Sequence, residues 1–105
     1  MIKAGVDLQG LKPQMALAYT ILQGIFHRHV SLPCVITSAS DGVHGPNSLH
    51  YNGLALDIRT RHVLESMLPV IVRDAKNELG EQFDVVLETD HLHVEFDPKV
   101  PAKDV

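Results

Sequence analysis

The chain contains very little cysteine: one thiol, Cys34, among 105 residues. A single cysteine excludes an internal disulfide, so we do not expect the fold to be held by covalent bridges. Because Cys34 lies in the short apolar run at residues 32–36, we expect a small buried thiol there and not a nucleophile. With 45% hydrophobic residues, residues 1–105 are expected to form one domain around a single modest core.

Positive charge is also scarce. The formal net charge is −4, and the lysines and arginines are scattered, so we expect no basic surface for nucleic acid or an anionic membrane. No stretch approaches the roughly 18 apolar residues of a membrane span, and the N-terminal residues lack the pattern of a signal peptide. We therefore expect the protein to be made in the cytoplasm and to act at a cell wall, if at all, after release. We also expect a monomer.

Two segments have the apolar spacing of helices. In residues 11–29 and 61–79 the apolar side chains recur three and four positions apart, which places them on one helical face. Gly80 is suited to end the second helix, and Pro69 predicts that this helix is kinked or restarts there. Histidines near the ends of these segments are expected to face solvent; they are His27, His29 and His62.

Four short runs are typical of strands, at residues 34–38, 53–59, 83–88 and 92–96. The last two are separated by only a few polar residues, which is hairpin spacing. In the second run Asp57 alternates with larger apolar residues and should lie on the opposite face. We predict a single α+β domain with an antiparallel sheet of about four strands and helices packed on one face, followed by a loose tail at residues 97–105.

Two histidines and a carboxylate occur at a spacing that suits one metal ion. Catalytic zinc usually takes three protein ligands and keeps a fourth position for water or substrate. His50, Asp57 and His93 would supply these ligands. His91 is two residues before His93 on the same predicted strand, so both side chains should project from the same face. Gly53 would let the backbone pass close to the site.

A metal-activated water needs a nearby base, and two acids precede the histidine pair. Glu88 and Asp90 are the candidates. His44, in the polar loop before the motif, could orient the substrate or stabilise developing negative charge. The residues alone leave the choice between the two acids open.

The same residues carry a resemblance to a known group of proteins. The pattern S-x-H-x-x-G-x-A-x-D, followed by a D-H-x-H stretch, resembles the zinc metallopeptidases grouped as lysostaphin, D-Ala-D-Ala peptidases and Sonic hedgehog. The similarity covers residues 35–95 and is greatest to the hedgehog signalling domain and the D-alanyl-D-alanine carboxypeptidase branch. The matching residues are Ser48, His50, Gly53, Ala55 and Asp57, followed by Asp90, His91 and His93.

The resemblance implies an α+β fold and one zinc ion held by His50, Asp57 and His93, with His91 lining the site. It implies further that Asp90 is the general base, as in the carboxypeptidase and phage endolysin branches. A glutamate lies slightly further back in the hedgehog branch, which favours Glu88, but the spacing here is one residue shorter.

His44, six residues before His50, matches a second active-site histidine of the hedgehog branch. Peptidases of the group commonly carry a substrate-binding arginine in the loop after the first strand, where this chain has Asp41. Either His44 takes over that role or the substrate differs.

Two functions from different classes follow from these residues. The first is a zinc peptidase, a D,D-carboxypeptidase or endopeptidase, that cleaves an amide in the peptide stem of peptidoglycan. The second is a hedgehog-like binding module with zinc but without turnover. A metal-free domain is the third hypothesis. Because the chain is short, we expect no wall-binding module in it, and nothing in the sequence supports targeting to the cell wall.

Overall fold

The computed structural model describes residues 1–39 and 53–98, and the secondary-structure order within these ranges is the predicted one. A helix is followed by two strands, a second helix and two more strands. One short 3₁₀ turn, Glu65–Met67, precedes the second helix. The elements are α1 (Pro13–Val30), β1 (Ile36–Ser38), β2 (Ala55–Arg59), α2 (Leu68–Leu79), β3 (Phe83–Leu87) and β4 (His91–Phe96).

The four strands form one antiparallel sheet in the order β1-β2-β4-β3. β3 and β4 form the predicted hairpin, and β2 is brought beside β4 from a distant part of the sequence. In this register Asp57 lies opposite His93, and Arg59 lies opposite His91. The α+β prediction with a four-stranded antiparallel sheet is confirmed. Backbone hydrogen bonding continues one residue past β4, where the Asp97 N–H donates to the Gln82 carbonyl at 2.8 Å.

α1 forms because its apolar residues share one face. Pro13 stands in the first turn, where its missing N–H leaves no helical hydrogen bond unmade. The helix ends at Ser31, which adopts the left-handed conformation at φ 53° and donates its N–H to the Phe26 carbonyl at 3.0 Å. The buried face consists of Met15, Ala18, Leu22, Ile25 and Phe26, all with no solvent exposure.

α2 begins one residue before Pro69, so the proline starts the helix and does not kink it. This resolves the two alternatives that the sequence left open: the helix restarts there. Gly80 ends α2 at φ 88° and donates its N–H to the Lys76 carbonyl at 3.1 Å. The second helix is therefore about one third shorter than the apolar spacing predicted.

The core lies between the two helices and one face of the sheet. Even-numbered residues of β2 and β4 point into it, and the odd-numbered residues point to the open face. The buried strand residues are Leu56, Ile58, Leu92 and Val94. Cys34 is 2% exposed and burial raises the pKa of its thiol to about 12, as expected for a buried cysteine that does not act as a nucleophile.

Two of the three histidines expected to face solvent do not. His29 is half-buried, and its Nε2 lies 2.5 Å from Asp74 Oδ2 on α2. His62 donates through Nε2 to the Pro33 carbonyl at 2.8 Å and stacks on Phe26 with ring centroids 6.1 Å apart. The prediction was wrong because both contacts join residues that are far apart in the sequence. His27 is exposed as predicted.

Asp74 joins α2 to the end of α1 and is expected to give a measurable pH dependence of stability. Hydrogen bonds from His29 and then Arg28 lower the pKa of Asp74 from 3.8 to about 2. A folded-state pKa below the unfolded one stabilises the fold above pH 3.8, and this contribution is lost as the pH falls toward 2. Asp74→Asn should therefore melt below wild type at pH 7, and the difference in Tm should close between pH 4 and about 2.

The measurement is thermal unfolding by circular dichroism over that pH range. The exposed Glu81→Gln is the matched control. If the two variants show the same pH dependence, the interpretation of Asp74 is wrong.

Gly53 is required by a close approach of two backbone segments. Its φ is +72°, and a Cβ atom there would lie 2.0 Å from the Gly10 carbonyl oxygen and 3.2 Å from Leu11 Cα. The Lys12 N–H donates to the Gly53 carbonyl at 3.0 Å and ties the start of α1 to the start of β2. The backbone that Gly53 approaches is thus the segment before α1.

Gly53→Ala is expected to lower the free energy of unfolding by about 3 kcal/mol or more. A positive φ alone costs a residue with a side chain about 1–2 kcal/mol, and the overlap with Gly10 adds the displacement of a backbone segment. Gly5→Ala is the matched control, because Gly5 has φ +87° but no atom within 4 Å of the added Cβ. Urea unfolding measures both; equal losses would show that the close approach carries no cost.

Candidate metal centre

The candidate centre lies on the open face of the sheet, where β2 and β4 pair. Asp57 and His93 are directly opposite each other in the antiparallel register. Facing residues of such a pair have Cβ atoms about 4.5–5.5 Å apart. Because side chains alternate along a strand, His91 projects from the same face as His93. Three polar side chains from two distant sequence segments therefore meet at one place.

The ligand atoms of these residues are close enough to share an ion. His93 Nδ1 lies 2.9 Å from Asp57 Oδ1, and His91 Nε2 lies 3.6 Å from the same oxygen. All three ligand atoms lie within 4.8 Å of one another, and all three residues are half-buried. Ligands at about 2.1 Å from a tetrahedral ion are about 3.4 Å apart. Two nitrogens and one carboxylate oxygen fit zinc, and they also suit other divalent metals that accept imidazole.

The predicted ligand set is described only in part. Asp57 and His93 were predicted as ligands and His91 as lining the site, and the structure brings these three together. His50 and His44 lie outside the described residues. The roles of all five in metal binding or catalysis stay predictions.

His93 is held between two carboxylates. Its Nδ1 faces Asp57 and its Nε2 lies 2.7 Å from Glu95 Oε1. The hydrogen bond to Asp57 raises the pKa of His93; burial opposes this increase, and Glu95 adds to it. A carboxylate on one ring nitrogen fixes the orientation of a ligating histidine and leaves the other nitrogen for the metal. Glu95 suits that role on Nε2.

Sequence reasoning did not identify Glu95 as a site residue. The available signal was its position two residues after His93, which places both side chains on one face of β4. Glu95 also lies within 4.8 Å of two further acids, Asp84 and Asp97. Carboxylates alone are a weak indication of a metal site, so we assign Glu95 to the orientation of His93.

Asp90 lies at the edge of the same cluster. Its Oδ1 is 2.6 Å from His91 Nδ1, while its side chain is 85% exposed. The hydrogen bond from His91 is the main cause that lowers the pKa of Asp90 below its ordinary value. Asp90 also lines a cavity of about 270 Å³ together with Asp57 and His91. It is thus an exposed, ionised carboxylate next to the candidate ligands.

Glu88 faces a different part of the surface. Its N–H donates to the His91 carbonyl at 2.8 Å and closes the turn between β3 and β4. Glu88 lines a separate cavity together with Leu68 and Pro69, at the start of α2. Of the two acids considered as the base, the geometry brings Asp90 to the cluster.

Comparison of the chain with protein-family models and with curated proteins found no match. Neither helix in the described ranges is long and apolar enough to cross a membrane.

Proposed function

We propose that the protein is a zinc-dependent peptidase that cleaves an amide bond in the peptide stem of peptidoglycan. The observation that carries the proposal is the cluster of Asp57, His91 and His93, built by the pairing of β2 with β4. The same residues belong to the motifs that resemble the D-Ala-D-Ala peptidase and hedgehog group. The proposal includes action as a monomer that is made in the cytoplasm and reaches the wall after release.

In this proposal His50, Asp57 and His93 would hold the ion, and His91 would line the site. A zinc ion bound there would polarise the scissile carbonyl and lower the pKa of a water molecule. Glu95 keeps the His93 ring in position through Nε2.

Asp90 is the proposed general base. It accepts a proton from the attacking water, whose oxygen forms the new bond to the carbonyl carbon, and passes that proton to the departing amine nitrogen. His91 holds Asp90 through Nδ1 at 2.6 Å. The high exposure of Asp90 leaves its carboxylate open to substrate.

The test is incubation of the zinc-loaded full chain with purified peptidoglycan and with defined stem peptides. New amine termini, detected by amine labelling and mass spectrometry, are expected with zinc and absent after chelation. Tight zinc binding without new termini from any substrate would overturn the peptidase and favour the hedgehog-like binding module. Elemental analysis that finds no zinc in protein purified without added metal or chelator would favour a metal-free domain.

A further inference from the structure

Three cationic residues border the candidate metal centre. The cavity of about 270 Å³ that contains Asp57 and His91 is also lined by three cations from two parts of the chain. Its volume is just below the range of about 300–1,000 Å³ typical of sites for drug-sized ligands, so it suits the end of a peptide. The cations are Lys3, Arg59 and Arg61.

Arg59 is the cation most directly tied to the cluster. It follows Asp57 by two residues on β2, so both project from the same face. The sheet register places it opposite His91. Arg59 is half-buried, whereas Arg61 and Lys3 are exposed.

The N-terminal segment brings the third cation to the cavity. Ile2 forms a parallel bridge with Ile36, and the Lys3 N–H donates to the Ile36 carbonyl at 2.9 Å. Lys3 thus lies against the outer edge of β1, on the side away from β2. Arg59 is the last residue of β2, Arg61 follows it by two residues, and Lys3 is held against β1.

The three cations form no close ion pair with an acid in the described parts of the chain. None of the ion pairs found within residues 1–39 and 53–98 involves Lys3, Arg59 or Arg61. The acids that share the cavity face histidines instead: Asp57 faces His93, and Asp90 faces His91. Because the two acids of the cavity face histidines and not the three cations, the cations are suited to bind an external anion.

We infer that Arg59, supported by Lys3 and Arg61, binds the C-terminal carboxylate of the peptide substrate. The inference rests on the proposed peptidase function and makes it a carboxypeptidase. A guanidinium binds a carboxylate through two parallel hydrogen bonds, which fixes the substrate's end as well as attracting it. Arg59 would supply the contact for which the related peptidases use an arginine near the position of Asp41.

The reaction is then the removal of one terminal residue. The oxygen of water bonds to the carbonyl carbon of the last amide, the C–N bond breaks, and the amine nitrogen receives a proton. The free amino acid leaves with the carboxylate that Arg59 held.

The test compares a stem peptide ending in a free carboxylate with the same peptide as its C-terminal amide. Wild type should cleave the last bond of the free acid with a kcat/KM about 10- to 100-fold above that of the amide, the range for a charged hydrogen bond. Arg59→Gln should remove this preference by lowering kcat/KM for the acid to about the level of the amide. Arg59→Lys should keep part of the preference.

The matched control is Arg73→Gln, which removes an arginine that is 63% exposed on α2, and it should keep the full preference. Zinc affinity and Tm of Arg59→Gln should equal those of wild type, which excludes loss of the fold or of the metal as the cause. Equal cleavage of acid and amide by wild type would overturn the inference while the peptidase stands.

Binding is measured separately so that the inference does not depend on turnover. N-acetyl-D-alanine and its amide are titrated into zinc-loaded protein, and the Arg59 side-chain N–H resonance is followed by NMR. A shift with the acid alone, together with calorimetric binding of the acid that is lost in Arg59→Gln, supports the carboxylate site even if no peptide is cleaved. No shift with the acid would overturn it.

Discussion

Replacing Asp57 by asparagine is expected to lower the affinity for zinc by more than about 100-fold and to abolish turnover. Asp57 supplies the negative charge of the cluster and faces both histidines, with its Oδ1 2.9 Å from His93 Nδ1 and 3.6 Å from His91 Nε2. Changes to residues that only support metal ligands already cost about 10- to 100-fold, so removal of a ligand charge should cost more. Competition with a chromophoric chelator measures the affinity.

Thermal unfolding provides a second readout for the same substitution. Zinc at 100 times its Kd should stabilise wild type by about 2.7 kcal/mol, which corresponds to about 10–20 °C in Tm for a domain of this size. Asp57→Asn should show no such increase. Glu81→Gln, an exposed acid after α2, should respond to zinc as wild type does. A full response in Asp57→Asn would remove Asp57 from the ligand set.

Replacing Asp90 by asparagine is expected to lower kcat by about 10²- to 10⁴-fold, the contribution of a general base, while zinc binding is kept. Asparagine has nearly the same shape and can still accept a hydrogen bond from His91, but it cannot take a proton. The substitution therefore tests the proton transfer separately from the position of His91. Steady-state hydrolysis of a defined stem peptide measures the effect.

Glu88→Gln is the matched control, because Glu88 belongs to the same turn but lines a different cavity. It should keep kcat within a few-fold of wild type. Loss of turnover in Glu88→Gln with turnover kept in Asp90→Asn would exchange the roles of the two acids. If both variants turn over as wild type does, neither acid is the base.

The element types and their order follow from local patterns in the sequence. Apolar residues three and four apart predict α1, and its burial against the sheet agrees with that spacing. The boundaries were less exact: β1 begins at Ile36, two residues later than predicted, because β2 pairs with only part of the apolar run. α2 was overextended since the residues before Pro69 form a 3₁₀ turn.

Asp57 was predicted to lie on the face of its strand opposite the larger apolar residues, and the cluster of Asp57, His91 and His93 lies on that open face of the sheet. Glu95 and Arg59, which border this cluster, were not predicted as site residues. Strand alternation places Glu95 on the face of His93 and Arg59 on the face of Asp57, but only the register between β2 and β4, which joins segments more than 30 residues apart, brings the two faces together. Local spacing carries no information on such pairing. The exposed positions expected for His29 and His62 failed for the same reason.

By itself the sequence determined the kinds of chemistry available: histidine and carboxylate donors at a spacing that suits one metal ion, and an α+β chain without disulfides. Those features depend on residue type and local periodicity. Residue type and periodicity decide local structure because side-chain volume and backbone sterics act over only a few residues. Only the tertiary structure decided which groups face each other. It placed Asp90 beside His91, turned Glu88 toward a different cavity, and set Arg59 next to Asp57 and His91. The physical reason is that burial of the apolar face of the sheet selects one register, and that register sets every contact on the opposite face.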